Sequence, residues 1–323
     1  MNKQRRLLIA YAVGLAVIAL LPAGLGDYGI HIMILAGIYL IMAVGLSLVS
    51  GFAGQLSLGQ AAFYAIGAYT SALLAVKCSV PFWIGSLCAI AVSAVFGVAL
   101  GLPTLRLSGV YLTVATVGFG EIVRMVLLNW TPVTMGAMGV REIPPPMIGS
   151  FAFDTPTRYY YLVLAAVIIS FFIASRIVRS RVGRAFVAVA DKEIAAQVVG
   201  IKPTRFKTLA FVLSAAYAGF AGSLYAHYIA YVHPDAFTQA ESIMALTIIA
   251  VGGMRSLPGI AVSGIALVVA MEYLRAFSEF RLIIYAVVLI LSLLFMPDGI
   301  GGLAKKLASQ GRKEREPGSV LQK

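Results

Sequence analysis

Between His31 and Val76 the chain carries no Asp, Glu, Lys or Arg. At about 1.5 Å per residue, one helix over that stretch would run roughly 68 Å, far more than a bilayer spans. The chain must therefore turn back within it, and the turn falls in GFAGQLSLGQAA, residues 51–62, where seven of twelve positions are Gly, Ala or Ser. Glycine lets the backbone leave helical geometry. Unwound backbone is tolerated at membrane depth only where protein or a water-filled path surrounds it. Two readings of Gly54, Gln55, Ser57, Gly59 and Gln60 stay open at this point. They line a translocation path with uncharged donors and acceptors, or they make a tight interfacial hairpin that touches no substrate.

The rest of the chain supports a membrane setting. Hydrophobic residues make up 60% of 323, charged residues only 12%, whereas a soluble domain carries about a quarter charged. Candidate spans lie at 7–21, 30–49, 55–76, 82–102, 110–130, 159–177, 208–230, 243–253, 259–276 and 282–295. Backbone groups in lipid must bond within their own segment, so these are helices, and no run of alternating ten-residue segments marks a barrel. The fold class expected is all-α: a polytopic membrane protein of about ten transmembrane helices. Residues 7–21 follow a basic start and resemble a secretory leader, but nine further apolar segments follow, so they are read as a retained first span.

The formal net charge of +12 could suggest a nucleic-acid partner. Its distribution argues otherwise. With the N-terminus inside, 19 of the 25 basic residues fall on the cytoplasmic side, eight of them between Arg176 and Lys207. That is the positive-inside bias, and it places both termini in the cytoplasm. The domain reading is a transmembrane permease region over 1–304, a cytoplasmic loop at about 178–207, and a basic, disordered tail over 305–323.

Chemistry-bearing residues are few. Cys78 and Cys88 show no metal-ligand spacing and are read as free thiols. Glu121 with Arg124, and Glu272 with Arg275, stand at i, i+3 near outer span ends and suit snorkelling ion pairs. His227 and His233 are read as interfacial. No metal site, no catalytic constellation and no GxxxxGK[ST] loop is found, so the chain is read as no enzyme, with no cofactor of its own. Ala215, Gly219 and Ser223, and Ala218, Gly222 and Ala226, recur every four residues, as do Gly97 and Gly101; small residues so spaced allow close helix packing. SLGQA at 57–61 and SLPGIA at 256–261 are candidate halves of an internal pseudo-repeat.

The internal loop contains DKEIAAQVVG, residues 191–200, which has the marks of a short helix. Asp191 suits the N-cap, Glu193 the first turn and Gly200 the C′ position. Such a helix between spans is placed to enter a groove on a cytoplasmic partner. The other reading is a basic connector that holds anionic lipid headgroups.

Three blocks together, at 45–74, 106–130 and 183–227, resemble the permease subunits of branched-chain amino acid ABC transporters, nearer the LivM type of the two permeases such systems use. The segment at 250–267 fits as well. The resemblance implies a permease in the bacterial inner membrane, working by alternating access with a second homologous permease. Two cytoplasmic ATPase subunits that hydrolyse ATP, and an external substrate-binding protein, complete the system it implies. It makes the loop around Asp191, Glu193, Ala195, Ala196 and Gly200 the coupling helix. Here Ile194 separates Glu193 from the alanines, and the usual downstream Ile-x-Leu-Pro is not visible. An ion-coupled secondary transporter of small neutral solutes is the rival class. Its mark would be a carboxylate within a span.

Overall fold

The computed structural model describes residues 26–104, 107 and 109–273, with a few isolated positions on either side. The expected spans at 7–21 and, for the most part, 282–295 lie outside the described residues, as do Arg275 and the tail. Helix α1, Asp27–Leu46, runs on into a π-helical turn, Ser47–Phe52. Then come α2 (Gln60–Cys78), α3 (Phe82–Thr104) and α4 (Val110–Asn129). After a connection containing a small antiparallel hairpin, β1 (Met147–Ile148) with β2 (Phe151–Ala152), the chain enters α5 (Pro156–Arg179). Two short helices follow, α6 (Arg181–Asp191) and α7 (Glu193–Val198). The described core closes with α8 (Pro203–Ile229), α9 (Gln239–Gly252) and α10 (Leu257–Tyr273).

Among the described residues six helices are long and apolar enough to cross a membrane: α1 with its π turn, α2, α3, α4, α5 and α8. The fold is therefore a helical, multi-pass membrane bundle. α8 sits at its centre, packed on α1, α2 and α3, while α4 and α5 turn much of their apolar surface outward. Between layers without a hydrophobic driving force, close backbone approach supplies the attraction. The small residues of α8 provide it: a Cβ added at Gly222 would collide with the Tyr64 carbonyl of α2, and one at Gly219 with Ser93 of α3. Gly97 and Gly101 of α3 continue the same α3–α8 seam toward the start of α8, at Ala215 and Phe211.

Arg176, Arg179, α6, α7 and Arg255 gather at one end of the bundle, called the basic end; the hairpin and residues 130–155 lie at the far end. One expectation changes here. The second helix starts at Gln60, so 55–59 is not part of a span. Residues 57–61 and 256–261 each lead into a helix, in different surroundings. The first stretch bonds to α4 and α9 inside the bundle; the second begins α10 at the basic end, one residue beyond the Arg255 that reaches Gly51.

Candidate functional site

The turn in the uncharged stretch is a wide helical turn followed by extended chain, and many of its freed backbone groups find partners in neighbouring residues and helices. As the π turn ends, the amides of Ala53 and Gln55 reach back to the carbonyls of Leu48 and Val49 at 3.1 and 2.9 Å. Gly54 then takes a left-handed conformation, φ +68°, with Ala190 of α6 against it. Ser50 donates to the Gln55 carbonyl at 3.1 Å and accepts from the Ser57 amide at 3.4 Å. The Leu58 amide donates to Thr116 of α4 at 2.9 Å, the Leu58 carbonyl accepts from Gln239 at 3.1 Å, and the Ala61 amide donates to Ser242 at 2.9 Å. Hydroxyls and amides thus replace the helix ladder that glycine interrupts.

These bonds divide the five predicted residues. Gln60 is fully buried: its amide nitrogen donates to the Met42 carbonyl at 3.1 Å, and its oxygen accepts from Ser214 at 3.1 Å, clamping α2 between α1 and α8. Ser57 and Gly59 are also buried among protein groups. Gly54 is exposed and Gln55 half-buried, with exposed Leu56 next to them. In this stretch Gly54 to Leu56 present the most surface, and Leu58 is half-buried.

A second irregular stretch, 230–238, leads from the end of α8 to the start of α9. Its Phe237 ring packs on Tyr64 and Tyr69 of α2, and its Asp235 accepts from Arg124 of α4 at 2.8 Å. The starts of α2 and α9 therefore meet against α4, joined through Leu58–Gln239 and Ala61–Ser242. Beside Ser242, the half-buried Glu241 carboxylate accepts from Tyr39 of α1. The sequence reading passed over Glu241, although it is the last charged residue before a 30-residue run that Arg255 alone interrupts.

At the basic end α6 is capped by Ser180, whose hydroxyl accepts from the amides of Val182 and Gly183 at 3.1 and 3.5 Å. Asp191 is the last residue of α6; Lys192 takes the N-cap place of α7, which corrects the expectation that Asp191 caps it. Asp191 instead accepts from Arg255 Nη2 at 3.0 Å. Gly200 does take the C′ place, at φ +82°. It donates to the Gln197 carbonyl at 2.9 Å while Ile201 donates to that of Ala196 at 3.0 Å, the pair of bonds that ends a helix in a Schellman turn. Glu193 accepts from Lys207 of α8 at 2.7 Å, and the Lys207 side chain is only 7% exposed. Ala196 is buried, Ala195 is exposed, and Ile194, Val198 and Val199 present an apolar face at 79, 83 and 73% exposure.

Other expectations resolve locally. His227, in the last turn of α8, is buried among protein groups, hydrogen-bonded to Ser71 at 2.9 Å and to the Pro144 carbonyl at 2.7 Å. Half-buried His233 pairs with the Ala137 carbonyl at 2.8 Å. Arg124 holds Glu121 at 2.7 Å, as its spacing implied, and Glu272 accepts from Tyr28 at 2.8 Å. Both cysteines are free. Among the described residues no group of three His, Cys, Asp or Glu could hold a metal.

The family model described as the permease component of the branched-chain amino acid transport system matches residues 29–294. The chain belongs to that family. It is 39% identical over 314 residues to the high-affinity branched-chain amino acid transport system permease protein LivM of Salmonella typhimurium, covering 90% of this chain and 74% of that one. Against LivM of Escherichia coli K12 the identity is again 39%, over 294 residues, 84% of this chain and 69% of the relative. LivH of the same strain is 26% identical over 294 residues, 83% of this chain and 92% of LivH. No solved structure matches. A permease of this family is a transport subunit, so the site is to be judged by what it lets through and what moves it.

Proposed function

We propose that the chain is one of two homologous permeases that together form the translocation path of an ABC importer in the bacterial inner membrane, both termini cytoplasmic. The cargo is a branched-chain or closely related neutral amino acid, handed over by an external substrate-binding protein. Two cytoplasmic ATPase subunits hydrolyse ATP and drive alternating access. The observation that carries this reading is α7: a short helix at the basic end, shut by Gly200 and tied to α8 through Glu193, with Ile194, Val198 and Val199 uncovered. A clustered apolar face of that kind on an extramembrane helix marks a partner's groove. Asp191, Glu193, Ala195, Ala196 and Gly200 then belong to the coupling loop within 178–207, and the surface at Gly54 and Gln55 borders the path. Ser57, Gly59 and Gln60 hold that surface in place from behind.

The test is reconstitution. The chain with its second permease and both ATPase subunits takes up leucine only with ATP and binding protein, and Ala195→Cys cross-links to an ATPase subunit. Uptake by the chain alone under a sodium or proton gradient would overturn the reading, and Glu241 with its Tyr39 partner would then become the residues to follow.

A further inference from the structure

Arg255 is the sole charged residue between Glu241 and Glu272. It stands in the turn between α9 and α10, and its guanidinium faces two ways. Nε donates to the Gly51 carbonyl at 2.9 Å, and Nη2 donates to the Asp191 carboxylate at 3.0 Å. The first acceptor is a carbonyl at the end of the π turn, where the helix ladder no longer supplies partners. The second is the last residue of α6, joined to α7 by Lys192 alone. The surrounding backbone is in direct contact. A Cβ at Gly51 would collide with the Met254 carbonyl, and one at Gly54 would stand 2.9 Å from the Ala190 Cβ.

We infer that Arg255 is a positioning residue that transmits displacement of the coupling loop to the irregular segment beside the path. This rests on the proposed roles of α7 and of residues 54–56. Stability does not account for the arrangement. The Arg255 and Asp191 side chains are 45% and 59% exposed, and pairs so solvated contribute little to folding. What the planar fork adds is direction, because both donors are fixed in one rigid group. A shift of Asp191 acts on the Gly51 carbonyl without passing through a flexible chain. The stretch that receives it, 53–59, lacks a helix ladder and so yields before the helices on either side do.

The experiment uses the reconstituted four-component complex with Cys78→Ser and Cys88→Ser, and Leu56→Cys as reporter, since Leu56 is 43% exposed. Labelling by a water-soluble maleimide is timed with and without ATP. In the otherwise unchanged complex the rate shifts about tenfold with nucleotide, within the range typical of coupled sites. Arg255→Gln, and separately Asp191→Asn, abolish that shift while the ATPase subunits still copurify. Nucleotide-dependent labelling that persists in both variants overturns the role of Arg255 and leaves the coupling reading standing. Labelling that ignores nucleotide before any change at Arg255 or Asp191 sinks the coupling reading, and this inference with it.

Discussion

Lys207 reaches Glu193 with an ammonium that has almost no water around it. Removing the carboxylate therefore does more than weaken the first turn of α7. It leaves a desolvated cation without a counter-charge, and that penalty is the larger part. Glu193→Ala is expected to cost about 1–3 kcal/mol, between an exposed pair and a fully buried one. Lys207→Met fills similar space without a charge, so Glu193→Ala/Lys207→Met should recover much of the loss. Thermal unfolding of the purified permease complex reads both; a double variant no more stable than Glu193→Ala would show that the ammonium is not what suffers. Gly200 has a different dependence. Nothing lies within 4 Å of where its Cβ would be, so only the backbone objects to a side chain. Left-handed geometry costs an L-residue about 1–2 kcal/mol, and a β-branched one more. Gly200→Val should lose substrate-stimulated ATPase activity, Gly200→Asn should keep most of it, and equal activity in the two would refute the requirement for a left-handed C′ residue.

At the scale of elements, α8 holds the bundle because neighbouring backbones come within reach of its small residues. Gly222 meets a carbonyl that belongs to α2 and cannot step aside, so Gly222→Ala should destabilise by about 1–3 kcal/mol as an overpacked contact does. Gly101 offers the contrast. A Cβ there would sit 3.4 Å from the Phe211 Cβ, an ordinary contact, and Gly101→Ala should leave the melting temperature of the complex nearly unchanged. Equal shifts for the two would mean that the α2–α8 contact gives more readily than its geometry implies. The four-residue spacing that marks these glycines is legible in sequence because it depends on helix periodicity alone. So are the long helices, from apolar length, and the end of α7, from a glycine that follows a short helix. The start of α7 is not legible. Asp191 is a good cap by type, but it ends α6 and is claimed by Arg255, a residue 64 positions away. The bonds of Gln60 are not legible for a related reason: a polar side chain in an apolar stretch looks the same in sequence whether or not it clamps Met42 to Ser214.

Taken as a whole, the described bundle brings together the helices that follow two of its irregular stretches. Residues 53–59 come in from the basic end and 230–238 from the far end, and the helices they start, α2 and α9, are tied through the Leu58 carbonyl to Gln239 and the Ala61 amide to Ser242. A rigid helix pair crossing the bundle would have to move as a unit. Two helix starts joined by single hydrogen bonds to side chains can part without breaking a helix ladder, since the hydroxyl and amide partners rotate to new acceptors or to water. This junction is therefore where the two halves of the chain would separate when access changes sides. A short thiol cross-linker between Leu58→Cys and Gln239→Cys, with Cys78→Ser and Cys88→Ser, should stop ATP-driven leucine uptake, and a reducing agent that cleaves the linker should restore it. ATP binding by the partner subunits should persist in the linked complex, because the block lies in the membrane and not at the nucleotide. Unimpaired uptake after complete cross-linking would make the junction a fixed part of the scaffold, and the motion would have to be carried by rigid rotation of the helices around it.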